Sequence, residues 1–277
     1  MKKLMILCGL LLTISCSTPI ERADAPDPRI VVLSPELAEI VCELGAEDNI
    51  IGITQECDYP QTLQQKNIIG SFSAPNIEKI VVLEADAVLL TGMEQEIFKH
   101  KLLNLNIPVH QFYPSSIKAL YETIFSLGEL LHKEDKADSL IQYMQVSISA
   151  IAKSKESPTI YIEIYNKPLM TASSGSFVGD VIKKAGLINI FPELPREYCA
   201  VSSERVVELN PDIILITYPG VIKKDIKERL GWSMISAIKN DRVFTTEDID
   251  PDIILRAGPR IVQGIEKLSQ LSIQQNE

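Results

Sequence analysis

The sequence predicts an α/β fold of two Rossmann-like lobes, each built on a central parallel sheet, joined by a long rigid backbone helix. Three observations carry this expectation. Short apolar or β-branched runs alternate with helix-patterned segments, which implies parallel strands joined by right-handed crossovers. A segment of the first half recurs in the second at an offset of 126 residues. Between the two copies, residues 117–155 hold no proline, a single glycine and helical periodicity. A length of 277 residues corresponds to about two domains at roughly 150 residues each.

The elements follow in order. Arg29-Ile30-Val31-Val32-Leu33 is a strand. Ser34 and Pro35 open a helix with Leu37, Ile40, Val41 and Leu44 at helical spacing, and Gly45 stops it. Asn49–Thr54 is a strand, Ile77–Leu83 a helix, Ala87–Leu90 a buried strand, Glu94–Leu105 a helix and Pro108–Phe112 a strand. The run Glu78–Thr91 aligns without a gap on Glu204–Thr217, sharing Glu, Val, Leu, Asp, Leu and Thr at equivalent places. A weaker match in the same order pairs Ala38-Glu39-Ile40-Val41 with Gly179-Asp180-Val181-Ile182. Two ordered matches make homologous lobes the better reading than chance.

In the connecting stretch, Leu120, Ile124, Leu127, Leu130 and Leu131 form one apolar face, and Leu140, Ile141, Met144, Ile148 and Ile151 another. A break near Asp135 or Lys136 divides a helix that finishes the first lobe from a long one that crosses to the second. Such a linker is stiff, unlike a Gly/Ser hinge. The expected divisions are residues 29–132 for the first lobe, 133–156 for the connecting helix and 157–277 for the second lobe.

The N-terminus reads as a targeting segment. Lys2 and Lys3 precede the apolar run Leu4–Ile14, which is shorter than the roughly 20 residues a membrane span requires. Leu12-Thr13-Ile14-Ser15-Cys16 resembles a bacterial lipobox, departing from it at Thr13. Residues 1–16 are therefore expected to be a lipoprotein leader ending at a lipidated Cys16, and residues 17–28 a polar, proline-containing tether. The chain is then expected in the periplasm or on the outer face of the cytoplasmic membrane, held by lipid alone.

Charge and cysteines narrow the chemistry. The chain has 37 acidic and 27 basic residues, a net charge of −10, which becomes −12 without Lys2 and Lys3. That balance argues against nucleic acid as a partner. Outside the cytoplasm Cys42 and Cys57 are a possible disulfide, and a loop of that length would contribute about 3 kcal/mol. Their spacing alone does not give the Cα separation that a disulfide needs. No CxxC occurs, and His100, His110 and His132 lie in separate elements, so no metal site is expected and none of the three is assigned a function. His132 is placed on an exposed helix face. Neither GxSxG, HExxH, a P-loop nor GxGxxG is present, so no enzyme activity is expected. Gly175-Ser176-Phe177-Val178-Gly179 opens a helix; it reads first as an ordinary turn and second as an anion cradle.

Ligands of open α/β sheets sit beyond the carboxyl ends of the strands, which two facing lobes place in the cleft between them. The loop residues expected there are Tyr59, Phe72, Thr91, Gly92, Tyr113, Tyr165, Tyr198, Tyr218 and the segment Asp248–Arg256. Their aromatic content suits a large, flat, partly apolar ligand held by stacking and van der Waals contact.

Four pieces of sequence now carry a resemblance. They are Leu33-Ser34-Pro35 with Ala38-Glu39-Ile40-Val41, Glu56-Cys57-Asp58-Tyr59-Pro60, Pro75-Asn76-Ile77-Glu78, and Arg256-Ala257-Gly258-Pro259-Arg260-Ile261-Val262. Together they resemble the helical-backbone binding proteins of ABC importers for vitamin B12, haem and iron-siderophores, over essentially the whole mature chain. Within that family the Cys-Asp-Tyr-Pro loop and the Asp252–Arg256 segment are most similar to cobalamin-binding members.

The resemblance implies roles. It makes Tyr59, Phe72, Tyr198 and the segment Asp252, Ile253, Ile254, Leu255, Arg256 ligand contacts, with cobalamin as the transported ligand rather than a cofactor. Phe72 and Tyr198 stand where bulkier tryptophans occur in relatives. It also makes Glu78 and Glu204, one per lobe, the contacts to arginines of a two-fold permease dimer that works with its ATPase. By residue chemistry alone, Asp252 and Arg256 also suit a helical salt pair, and the two glutamates suit helix N-termini. The implied function is extracytoplasmic capture of cobalamin or a related corrinoid and its delivery to an ABC permease. A haem or iron-siderophore carrier is the alternative.

Overall fold

The computed structural model describes residues 27–92 and 95–273. The leader, Cys16 and most of the tether lie outside the described residues.

The first lobe runs β1 (Ile30–Val32), α1 (Pro35–Glu43), β2 (Ile50–Ile53), β3 (Asn67–Ile68), β4 (Gly70–Ser71), β5 (Ala74–Pro75), α2 (Ile77–Val82), β6 (Ala87–Thr91), α3 (Glu96–Asn104) and β7 (Val109–Phe112). Five strands form a parallel sheet in the order β3-β2-β1-β6-β7. Every residue of β1 and β6 is buried, as a parallel sheet covered on both faces requires. Ser34 is extended and Pro35 occupies the first turn of α1, where its missing N–H costs nothing. Gly45, at φ +73°, supplies the left-handed residue that ends the helix.

Two helices follow, α4 (Ile117–Leu130) and α5 (Glu134–Ala150). The second lobe then runs β8 (Thr159–Glu163), β9 (Tyr165–Asn166), β10 (Leu169–Ala172), α6 (Phe177–Lys184), β11 (Ile188–Asn189), β12 (Tyr198–Ala200), α7 (Ser203–Leu209), β13 (Ile213–Ile216), α8 (Lys223–Lys227), α9 (Ser236–Lys239) and β14 (Val243–Phe244). The chain ends in α10 (Asp252–Leu255) and α11 (Ile261–Ile273). Its parallel sheet has the order β11-β8-β13-β14, with β12-β10-β9 forming a separate antiparallel sheet. The order β2-β1-β6-β7 in the first lobe matches β11-β8-β13-β14 in the second. The repeat in sequence is therefore a repeat in topology: α2–β6 corresponds to α7–β13, and α1 to α6.

The connection differs in detail from the expected one. The break falls at His132 and Lys133, and α5 ends at Ala150 rather than at residue 156. His132 sits in the turn at φ +57°, not on a helix face. The single glycine of the stretch explains the geometry. A Cβ on Gly128 would lie 2.6 Å from the Cβ of Ala137, so only glycine lets α4 and α5 approach so closely. At 17 residues α5 is about 25 Å long.

One continuous core runs through the joint. It includes Ile40 of α1, Leu127 of α4, Met144 of α5, Val181 of α6, Ile254 of α10 and Leu268 of α11. Two charged residues at repeat-equivalent positions reinforce it reciprocally. Asp180 of α6 accepts a hydrogen bond from the backbone N–H of Ile117, at the start of α4, at 2.9 Å. Glu39 of α1 holds Arg256 and Arg260, which arrive from the end of the second lobe. Each lobe thus grips the segment that leaves the other, and a packed joint of this kind resists hinge motion.

Candidate ligand-binding site

A cavity of 80 Å³ lies between the lobes. Glu36 at the start of α1, Thr91 at the end of β6, and Tyr113 and Pro114 after β7 line it from the first lobe. All follow the carboxyl ends of parallel strands. Phe177 at the start of α6, with Glu197 and Tyr198 at β12, lines it from the second lobe, and Leu255 and Ala257 complete the wall. The Tyr113 hydroxyl donates to Glu197 Oε2 at 2.6 Å, a direct bridge across the cleft. The space is far too small for a macrocycle, so such a ligand has to part that bridge.

Burial pushes the Glu36 carboxyl above the usual carboxylate range, against the opposing influence of its own backbone, the neighbouring Ser34 and Thr91 hydroxyls and the charge of Arg256. A carboxyl raised in the folded state contributes stability that is fully present below its unfolded pKa and lost as pH rises through the folded value. Glu36→Gln should therefore gain stability relative to the parent as pH is raised from about 4 to about 8. Thermal unfolding of both proteins across that range checks this. A difference that does not change with pH would show that Glu36 ionises as easily folded as unfolded.

Beside the cavity is a network of charges centred on Glu39, which is 2% exposed although it lies among the apolar residues of α1. A carboxylate so placed requires cationic partners. Arg260 provides two hydrogen bonds, Nε to Oε2 at 2.8 Å and Nη2 to Oε1 at 2.7 Å. Arg256 Nη1 lies 3.1 Å from Glu39 Oε1 and 2.8 Å from Asp58 Oδ1, while its Nη2 lies 2.8 Å from Asp252 Oδ2. Burial opposes the charge of Arg256, yet bonding to Asp58 and the charge of Asp252 overcome it and hold its pKa above the ordinary arginine value. The Arg260 guanidinium also stacks on the ring of Tyr59 at 4.1 Å. Tyr59 remains 42% exposed, its ring fixed by a cation that Glu39 orients.

The structure sorts the expected contacts. Tyr198, Leu255, Thr91 and Tyr113 meet in the cavity. Tyr59, Asp252 and Arg256 meet in the adjoining network. Phe72 is half-buried, its N–H donating to Glu56 Oε2 at 2.7 Å and its carbonyl accepting from Gln95 Nε2 at 3.1 Å. Ile253 and Ile254 are not on the cleft wall. They are 8% and 0% exposed and belong to the main core, because the single turn of α10 faces them inward. Tyr218 turns away too, donating to buried Glu163, which Arg229 grips at 2.7 and 2.8 Å. Tyr165 is 52% exposed on β9.

Cys42 and Cys57 are not bonded; both are free thiols. Cys57 Sγ faces Thr54 Oγ1 at 3.5 Å and the Val32 carbonyl at 3.9 Å, toward the β1 strand. Burial pushes its thiol up to about 11 and that of Cys42 up to about 12, so neither is a reactive thiolate at neutral pH. The Gly175–Gly179 stretch is an ordinary cap. Ser176 Oγ accepts from Gly179 N–H at 3.0 Å, and a Cβ on Gly179 would lie 2.2 Å from the Ser173 carbonyl. Among the described residues no group of His, Cys, Asp and Glu is arranged to hold a metal ion. No described helix is long and apolar enough to cross a membrane.

Sequence reading missed Glu36, Glu39, Glu197 and Arg260. Glu39 carried a signal: a charge inside the run Leu37-Ala38-Glu39-Ile40-Val41. Its partners lie 217 and 221 positions away, beyond any local pattern.

Glu78 and Glu204 are both exposed, each the second residue of its helix, α2 and α7. The caps are equivalent, Asn76 accepting from Lys79 N–H at 2.9 Å and Ser202 from Arg205 N–H at 3.2 Å. A groove flanks each helix, of 440 Å³ beside Asn76, Lys79 and Leu83 and of 550 Å³ beside Ser202, Arg205 and Leu209. These residues occupy the same three places of the repeat.

The chain is 29% identical over 255 residues to an uncharacterised ABC transporter substrate-binding lipoprotein of Bacillus subtilis, covering 87% of this chain and 79% of that one. It is 26% identical over 253 residues to a vitamin B12-binding protein of Vibrio cholerae, covering 88% of each. Its fold superposes with a TM-score of 0.78 on a periplasmic heme-binding protein from Roseiflexus, over 90% of this chain and 99% of that one, at 20% identity. The profile of the periplasmic binding protein family matches residues 30–249. The chain belongs to that family, the substrate-binding components of ABC importers, which bind a solute and catalyse no reaction.

Proposed function

We propose that this binding protein captures cobalamin or a related corrinoid in the cleft between its lobes. It then delivers the ligand to a dimeric ABC permease, while a lipid on Cys16 tethers it outside the cytoplasmic membrane. The observation that carries the reading is the state of the arginines at the cleft. Arg256 and Arg260 are committed to Glu39, Asp58 and Asp252. Among the described residues, the cavity lining offers two carboxylates, aromatic rings and no basic side chain. A haem or catecholate ligand brings anions that need cations. A corrinoid brings neutral amides around a flat macrocycle, which rings such as Tyr59, Tyr113 and Tyr198 suit. Likeness to the Vibrio cholerae vitamin B12-binding protein supports the same choice.

Glu78 and Glu204 are the proposed permease contacts. Two equivalent carboxylates on two equivalent lobes suit arginines repeated by a two-fold partner. The test of the ligand site is absorbance titration with cyanocobalamin of the parent chain and of Tyr59→Ala and Tyr198→Ala. Removing one stacking ring should weaken binding by about tenfold. Unaltered affinity in both variants would place the ligand elsewhere.

A further inference from the structure

The bridge between Tyr113 and Glu197 has a consequence for what the cleft accepts. The two residues stand on opposite lobes, 84 positions apart, and the bond of 2.6 Å bridges the cleft. Glu197 is half-buried, and Glu36 faces the same small space from the first lobe. Among the described residues no lysine or arginine lines the cavity. Arg196, next to Glu197 in sequence, is exposed. A ligand that enters takes the place of the tyrosine hydroxyl, and the Glu197 carboxylate loses its donor. A carboxylate accepts and does not donate, so a group that takes the place of the hydroxyl is favoured when it supplies an N–H or a positive charge. An incoming carboxylate would meet two acidic side chains, while the nearby Arg256 is already held by Glu39, Asp58 and Asp252.

We infer that Glu36 and Glu197 are the specificity-determining residues of the cleft: they select ligands that present amide N–H groups or positive charge, and reject ligands that present carboxylates. Glu36 sets the same preference from the other lobe. Its carboxyl lines the cavity from the first lobe and accepts amide N–H donors there. This rests on the reading of the cavity as the ligand site, and it holds whichever donor-bearing macrocycle is bound.

The experiment compares the parent chain, Glu197→Gln, and Glu36→Gln/Glu197→Gln with three probes. These are cyanocobalamin, which is neutral and rich in amides; a cationic ferric trihydroxamate; and haem, which carries two carboxylates. The parent should bind a neutral or cationic probe at least tenfold more tightly than haem. Each Glu→Gln change should narrow that ratio, and the double variant should abolish it. If the parent binds the trihydroxamate and not cyanocobalamin, the corrinoid proposal falls and the charge selection stands. If the parent binds cyanocobalamin but the ratio to haem is unchanged in the variants, the charge selection is overturned and the corrinoid proposal stands. A parent that prefers haem to both overturns it as well. Should the double variant fail to fold, Glu197→Gln alone carries the test, since that side chain lies at the cleft surface rather than in the core.

Discussion

Glu39→Ala should lower the stability of the folded chain by about 3–5 kcal/mol, a fall in Tm of roughly 10 °C for a protein of this size. The reason is what the substitution leaves behind. Arg256 and Arg260 are 14% and 13% exposed, and both direct hydrogen bonds at Glu39. Without it, the ion pairing of Arg260 among the described residues falls to a contact of 3.5 Å with Asp250, beside the ring of Tyr59. Removing one partner of a buried pair strands charge in a medium that solvates it poorly. The ring of Tyr59 also loses the guanidinium that supports it. Asp250→Ala is the control: Asp250 is 52% exposed, and such a contact contributes only a few tenths of a kcal/mol to about 1. Denaturant midpoints of the two variants give the comparison. Equal effects would mean that Glu39 does not anchor the C-terminal segment on the first lobe.

Glu78→Ala with Glu204→Ala should abolish import and the binding protein's stimulation of ATP hydrolysis by the permease, while leaving the ligand titration as it is in the parent. Each carboxylate is exposed, projects from an equivalent capped helix and lies away from the cavity. Loss of one charged hydrogen-bonded contact to an arginine amounts to about 1.5–3 kcal/mol, or a tenfold to hundredfold weaker association per lobe. Transport assays in reconstituted vesicles measure the outcome. Normal import by the double variant would remove both residues from the docking surface.

Much of the architecture was legible because it is periodic. The run Glu78–Thr91 and its copy became α2–β6 and α7–β13, and the ends of the strands bring Thr91, Tyr113 and Tyr198 together. The connecting helices were visible from Leu120 to Ile148, but their break was displaced. The signal at the turn is not polarity at Asp135 and Lys136; it is a close helix contact at Gly128 and a left-handed His132. The charge network was illegible as a network, since Glu39 meets Arg256 and Arg260 only after both lobes have folded. Its trace in sequence was a lone carboxylate in an apolar stretch, and Glu163 within Ile160-Tyr161-Ile162-Glu163-Ile164 is a second case, answered by Arg229. The asymmetry is physical. Apolar faces repeat with the period of the element that buries them, whereas a buried charge requires one partner, at any sequence distance.

The most direct measurement is calorimetric titration of the chain, made without residues 1–16, with cyanocobalamin and separately with haem. A saturable isotherm with one cyanocobalamin per chain, and no comparable heat with haem, is the expected result. Tight binding of haem with no heat from cyanocobalamin would contradict a corrinoid receptor.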